Sequence, residues 1–403
     1  MSENTFGPSK LELVIFCGFL MTLSGFSVDA MLPAFTQMAT DLKTPVANAQ
    51  LTVSVFAIAF GLSQIFYGPA SDRFGRKSVL TVGLAIFLMG STLAAFGSNI
   101  TWVLIGRALQ GVGGAAAPVL GRAILRDTHS GQELARAMAT TMAVFAIGPI
   151  VAPLVGYGLM AAASWRYIFF AMGFLAFTLS LFNMLRYQET IPERNFKALA
   201  IWGLWTAIST ILSNRQSRYF IGCAALGYCA LFTFLGNSPV VYEKAFGIKG
   251  IEFALLFSAT AIAIVFGQII NRKLIAVMDV LKLLRVSGFV LLAASGLMFV
   301  LSFIDALSGG SLTALLFLFN TSFLSVISNS ASLSIDPHPN HAGMASAIFG
   351  FVTSASGAIF LGLTAPIVDG DPLIYSALMM VATLFVFLVL LLFNPRKHDL
   401  TMT

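Results

Sequence analysis

Apolar residues along this chain come in long runs separated by short polar stretches, without the two-residue alternation of half-buried strands. The runs fall at about 12–38, 48–69, 78–97, 101–123, 134–158, 165–185, 218–241, 252–271, 284–304, 311–335, 343–367 and 373–393. A bilayer core about 30 Å thick takes roughly 20 residues of helix. Each run therefore predicts one crossing, and the pattern predicts an all-α membrane protein with twelve transmembrane helices. The connections that remain average roughly ten residues, which leaves no room for a soluble catalytic domain. The first run is too long, and too closely followed by others, for a cleaved signal peptide, and no A-x-A-like site follows it.

Composition narrows the classes. Hydrophobic residues make up 58% of the 403, charged residues 10%, and the mean hydropathy is +0.89. A soluble domain carries about 25% charged residues, and a core able to hide this much apolar surface could not be built. Disorder is excluded by the same balance. The three cysteines (Cys17, Cys223, Cys229) all lie in apolar runs with no CxxC or Cys/His cluster, so neither a disulfide framework nor a metal site is expected. The four histidines lie in loops or the tail, so no catalytic constellation falls inside the spans and no cofactor is implied.

The net charge of +6 reads as topology rather than as a nucleic-acid footprint. With the N-terminus in the cytoplasm, eighteen of the 23 Lys and Arg fall on the cytoplasmic side, four on the outer side, and Arg107 inside a span. That distribution predicts cytoplasmic termini. The uncharged stretch 198–213 is short for a span, and a crossing there would invert every basic loop downstream. Ile201, Leu204, Trp205, Ile208 and Leu212 form one helical stripe, so the stretch reads as an amphipathic helix on the cytoplasmic face.

Six runs precede this helix and six follow it. The expected organisation is an N-terminal six-helix bundle at 1–186, a cytoplasmic linker at 187–217 and a C-terminal bundle at 218–403. At an offset of 204, Ala57-Ile58-Ala59 meets Ala261-Ile262-Ala263, and Gln64-Ile65 meets Gln268-Ile269. Pro33 at the end of span one has a near-counterpart in Pro239 at the end of span seven. Two pseudo-symmetric bundles around a central cavity are the layout of alternating-access carriers.

Four tracts carry chemistry. The first is Gly68-Pro69-Ala70-Ser71-Asp72-Arg73-Phe74-Gly75-Arg76-Lys77, between spans two and three. It resembles the G-x-L-a-D-r-x-G-r-k signature of the major facilitator superfamily at Gly68, Asp72, Arg73, Gly75, Arg76 and Lys77. Gly68 would permit close helix contact, Gly75 a tight reversal, and Asp72 would face the positive N-terminus of a neighbouring helix. At the same offset, 272–280 has lost the motif, so a one-sided conformational latch is expected. The second tract, Arg107-Ala108-Leu109-Gln110-Gly111-Val112-Gly113-Gly114, resembles a signature of proton-coupled members of that superfamily. An intramembrane Arg costs at least about 2.5 kcal/mol and needs a partner or water.

Of the seventeen acids, Asp29 alone stands well inside a span, at a depth similar to that of Arg107. Desolvation disfavours the charged carboxylate and a nearby guanidinium favours it, so a site balanced between them can take up and release a proton. Three roles remain open for Asp29: proton site, fixed ion pair with Arg107, or exposed residue at a cavity mouth. The third tract, 148–156, holds Gly148, Pro149, Pro153 and Gly156. It resembles the GPxxGG-type signature of the exporter branch, with Ala152-Pro153 where many relatives have two glycines. Each proline frees a carbonyl and kinks a helix.

The fourth tract, Ser27-Val28-Asp29-Ala30-Met31-Leu32-Pro33-Ala34-Phe35, together with the others resembles the drug:proton antiporter family in its bicyclomycin/chloramphenicol-resistance branch. Some relatives carry a second acid two turns earlier; here Met21-Thr22 stands there. The resemblance implies a major facilitator fold, a bacterial inner membrane and a monomer in the lipid bilayer. It implies proton-coupled export of hydrophobic or amphiphilic small molecules, without nucleic acid or metal. Export or import of one specific metabolite or siderophore-like compound, by uniport or proton symport, is the alternative. Phe26, Gln110, Tyr228, Phe232, Asn237, Asn320, Phe323 and Phe349 are the expected cavity residues, because an aromatic, weakly polar wall suits such compounds and a lipid-facing amide is costly.

Overall fold

The structure, a computed structural model, describes residues 8–191, 194 and 201–392, with side chains at all of these except 201–204 and 340. Linker residues 192–193 and 195–200 therefore lie outside it. Twelve segments are long and apolar enough to cross a membrane, and no strand occurs among the described residues. The chain divides into two compact units, Met1–Leu204 and Trp205–Thr403.

In the first unit, α1 (Lys10–Asp29) begins at a capping box. Ser9 Oγ accepts the Glu12 N–H and Glu12 Oε2 accepts the Ser9 N–H. The segment then breaks. A 3-10 turn at Leu32–Ala34 leads into α2 (Phe35–Asp41). Pro33 has no N–H to offer the Asp29 carbonyl, which an unbroken helix would need. The Met31 N–H turns to the Val28 carbonyl (3.2 Å), so the Ser27 carbonyl also loses its donor four residues on. The unit continues with α3 (Val46–Phe74), α4 (Arg76–Phe96), α5 (Ile100–Gly114), α6 (Ala116–Thr128), α7 (Gly131–Ala162) and α8 (Arg166–Leu185). α5 and α6 form one span interrupted at Ala115. Pro149 and Pro153 lie within α7 without ending it.

α9 (Ile201–Ser213) is the linker helix; at 13 residues it is about 20 Å long and is not among the spanning segments. Of its predicted stripe, Ile201 and Leu204 lie outside the described side chains, Trp205 and Leu212 are exposed and Ile208 is half-buried, while Ala207 and Ile211 are buried.

The second unit comprises α10 (Arg215–Phe246), α11 (Gly250–Ile275), α12 (Val280–Phe303), α13 (Gly309–Ile335), α14 (Ala342–Val368) and α15 (Pro372–Leu392). Pro239 sits inside α10 without breaking it, unlike Pro33. Packing repeats between the units. The first span of each packs on the fifth (α1 on α7, α10 on α14), the second on the fourth (α3 on α5, α11 on α13) and the third on the sixth (α4 on α8, α12 on α15). Each unit so builds its own core from one scheme of helix neighbours, as the internal repeat predicts.

Candidate functional site

Small residues decide which helices meet around Asp29 and Arg107. A methyl group added at Gly111 would overlap the Phe56 carbonyl, and one at Gly106 would lie 2.7 Å from Ala94 N. These positions let α3 and α4 lie directly against α5. On the other side of α1, a methyl at Gly156 of α7 would overlap the Ala30 carbonyl, and one at Gly148 would come 2.9 Å from Thr22 Cγ2. The glycines of 148–156 thus seat α7 against α1 from Thr22 to the break beside Asp29. Gly148 and Pro153 are buried and Pro149 half-buried.

Arg107 is fully buried, and its partner is not Asp29. Its Nε donates to the Thr52 carbonyl (3.0 Å), and its Nη1 donates to the Ser27 carbonyl (3.0 Å) and to Gln110 Oε1 (2.9 Å). The guanidinium carbon lies 4.4 Å from the centroid of the Phe56 ring. Nη2 has no hydrogen-bond partner among the described residues. The carbonyl that takes Nη1 is the one released by the tightening of α1 at its end. A cation there also faces the negative end of the helix dipole, and the ring face adds about 0.5–2 kcal/mol. Gln110, expected at a cavity wall, is instead fully buried; its Nε2 donates to Ser91 Oγ (2.8 Å) while its Oε1 holds the arginine.

Asp29 is the last residue of α1 and is 7% exposed. Its carboxylate makes no hydrogen bond or ion pair among the described residues, so the fixed Asp29–Arg107 ion pair is absent. One residue on, the Ala30 carbonyl touches Gly156. Phe26, one turn earlier, is half-buried. The site is thus a partnerless buried carboxyl at a helix break, beside a guanidinium committed to backbone carbonyls.

The tract 68–77 closes a separate cluster. Gly75 has φ +97°, where a side chain is strained, and a methyl there would overlap Glu189 Oε2. Arg76 Nη1 donates to Asp72 Oδ1 (2.5 Å) and Ser71 Oγ (2.5 Å), and Arg76 Nε donates to Asp127 Oδ2 (3.0 Å). The anion at the N-terminus of α4 is Glu189, not Asp72. Its Oε1 accepts the Arg76 N–H (2.9 Å) and its Oε2 the Lys77 N–H (3.2 Å). Reciprocally, Lys77 Nζ donates to the Met184 (3.1 Å) and Tyr187 (2.6 Å) carbonyls at the end of α8. Anion at one helix start and cation at the other helix end both suit the dipoles. Burial pushes the Tyr187 hydroxyl well above the usual phenol range, so it stays a neutral partner for Thr190 (2.7 Å). Arg73 is half-buried over the Phe74 ring, 5.2 Å from its centroid. A methyl at Gly68 would meet nothing within 4 Å, so the close helix contact expected of Gly68 is not made among the described residues.

In the second unit Tyr228, Phe232 and Phe323 do come together. Tyr228 is 6.2 Å from Phe232 and 5.8 Å edge-on from Phe323, which stacks on Phe319 at 5.9 Å. Phe349 is buried, 8% exposed. Asn237 is buried and its Nδ2 donates to the Thr233 carbonyl (3.2 Å). Asn320 differs: it is 1% exposed, and neither amide atom has a partner among the described residues.

Comparison with known proteins accords with this geometry. The chain is 28% identical over 365 residues to the MFS-type transporter YdgK of Bacillus subtilis, covering 89% of this chain and 90% of that one. It is 26% identical over 369 residues to a bicyclomycin resistance protein homolog of Haemophilus influenzae, covering 89% of each. Its fold is like that of a D-xylose-proton symporter, with TM-score 0.72 and 15% identity over 96% of this chain and 99% of the other. Residues 14–361 match the Major Facilitator Superfamily as a family. With twelve spans in two units of like packing and that match over most of its length, the chain is a multi-pass membrane transporter belonging to the Major Facilitator Superfamily.

Proposed function

We propose that this transporter exports hydrophobic or amphiphilic small molecules across a bacterial inner membrane in exchange for protons, with Asp29 as the proton-carrying group and both termini in the cytoplasm. One observation carries the reading: the carboxyl of Asp29 is buried, without a partner among the described residues, at a break in a spanning helix. A fixed charge there is costly, and broken helices at membrane depth are tolerated where they line a path for ions or substrates. Arg107 does not neutralise Asp29. It holds the broken end of α1 through the Ser27 carbonyl and so keeps the carboxyl in place through both proton states. Proton uptake from the outer side and release to the inner side then alternate with substrate carriage in the opposite direction. The similarity to a bicyclomycin resistance protein homolog supports a drug-like substrate.

The test uses inside-out vesicles with an acidic lumen. Adding a carried compound outside should release lumenal protons, read with a pH-sensitive dye. Asp29→Asn should insert normally yet give neither proton release nor uphill transport. Release at the wild-type rate in Asp29→Asn removes Asp29 from the mechanism. Lumenal uptake of the compound without proton release points instead to uniport.

A further inference from the structure

A groove of about 490 Å³ lies on the second unit, between α10, α14 and α15. Its long wall runs down α10 from Arg218 and Tyr219 through Gly222, Cys223 and Leu226 to Cys229. The eleven helical steps from Arg218 to Cys229 rise about 16 Å, close to the half-thickness of a bilayer core, about 15 Å. Except at its head the lining is apolar or weakly polar, with Ser356 and Val389 opposite. The floor opens at Gly222, where an added methyl would meet nothing within 4 Å.

The head is cationic. Arg218, an exposed residue, forms part of the lining and has no ion-pair partner among the described residues. Arg215 and Arg285 both bear electrostatically on the Tyr219 hydroxyl beside it. Arg285 Nε donates to the Leu390 carbonyl (3.1 Å) and the Tyr219 hydroxyl donates to the neighbouring Val389 carbonyl, which gathers α10, α12 and α15 at this end. No carboxylate lines the groove among the described residues. A basic head over an apolar slot one leaflet deep has the charge and length of one lipid: a phosphate at the interface and a chain below it.

We propose that this groove is a binding site for an anionic phospholipid, with the phosphate on Arg218 and one acyl chain along α10 past Gly222. Zwitterionic lipid fits less well because its ammonium meets the same arginines.

The full chain, purified in detergent and mixed with equal amounts of phosphatidylglycerol and phosphatidylcholine, is examined by native mass spectrometry. Wild type should retain one phosphatidylglycerol in preference to phosphatidylcholine. Arg218→Gln should lose about fivefold of that retention, since one basic side chain at a membrane surface contributes about that factor, and Arg218→Lys should keep most of it. Gly222→Trp fills the slot without touching the charge and should lose retention of the same lipid. Both positions are exposed, so an unchanged melting temperature in lipid-free detergent separates lost binding from lost fold. Equal retention of the two lipids, retention within twofold of wild type in Arg218→Gln and Gly222→Trp, or displacement of phosphatidylglycerol by millimolar inorganic phosphate overturns the proposal.

Discussion

Arg107 is held by geometry that a lysine cannot copy. One planar fork reaches the Thr52 and Ser27 carbonyls and Gln110 together while its face lies on Phe56. Arg107→Lys should therefore transport at least tenfold more slowly, and Arg107→Ala should be inactive, measured as proton-coupled flux in vesicles. Full activity of Arg107→Ala would show that the end of α1 holds without it. Gly156→Ala should destabilise the protein by about 1–3 kcal/mol, because its methyl meets a backbone carbonyl that has no rotamer to escape into. A melting curve in detergent checks this; an unchanged midpoint means α7 can back away from Ala30. The sequence made Asp29 and Arg107 conspicuous as the one acid and one base deep in the spans. It did not reveal that they stand unpaired. That depends on Met31 turning to Val28 and freeing the Ser27 carbonyl, a matter of local backbone geometry rather than of residue type.

At the scale of elements, the 68–77 tract works by fastening α4 to the end of α8 and to the residues that follow it, Tyr187 and Glu189. Glu189→Gln keeps the shape but turns one of the two acceptor oxygens into an amide donor and removes the anion at the α4 N-terminus, so it should slow turnover several-fold with little change in substrate affinity. Asp72→Asn should act in the same direction by loosening Arg76. Substrate binding titrations beside transport rates decide between this and a direct binding role, which a large affinity loss at normal turnover would indicate. In the second unit Asp279 Oδ1 accepts the Leu281 N–H (2.9 Å) and the Lys282 N–H (3.2 Å), so α12 supplies its own cap. At the repeat offset, Asp279 falls on Gly75. The first unit thus takes from Glu189, distant in sequence, an anion that the second unit carries at the helix start itself. The tract was legible as a motif, but Asp127 and Glu189 were not, standing 51 and 113 residues from Arg76 with no local pattern to mark them. Span positions were legible throughout, since length and hydropathy alone fix spans, but the division of spans one and four into shorter helices was not. The buried face of α9 was not, because a stripe says which residues are apolar and not which surface they meet.

For the whole molecule, the proposed exchange, with a single carboxyl deep in the spans, predicts one proton per substrate. A proton gradient equivalent to roughly 150 mV then supplies about 3.5 kcal/mol, enough for a gradient of roughly 300-fold for a neutral compound. Export of a monovalent cation should follow the pH gradient alone, whereas a neutral compound should respond to pH gradient and potential. Ionophores that collapse each separately make the measurement, and cation export driven by potential alone would require a second proton and a second acid. The two-fold repeat, faint in the five matched residues of spans two and eight, is plain in the shared scheme of helix neighbours, because packing partners outlast residue identities. Asn320 has a last consequence at this scale. A buried amide with neither atom satisfied, as Asn320 is among the described residues, weakens a fold by about 1–3 kcal/mol. Asn320→Leu should accordingly melt at a higher temperature while transporting less. Selecting variants for heat resistance, as is done to prepare membrane proteins for crystallography, should then enrich replacements at this position, so that the hardiest preparations are the least competent transporters.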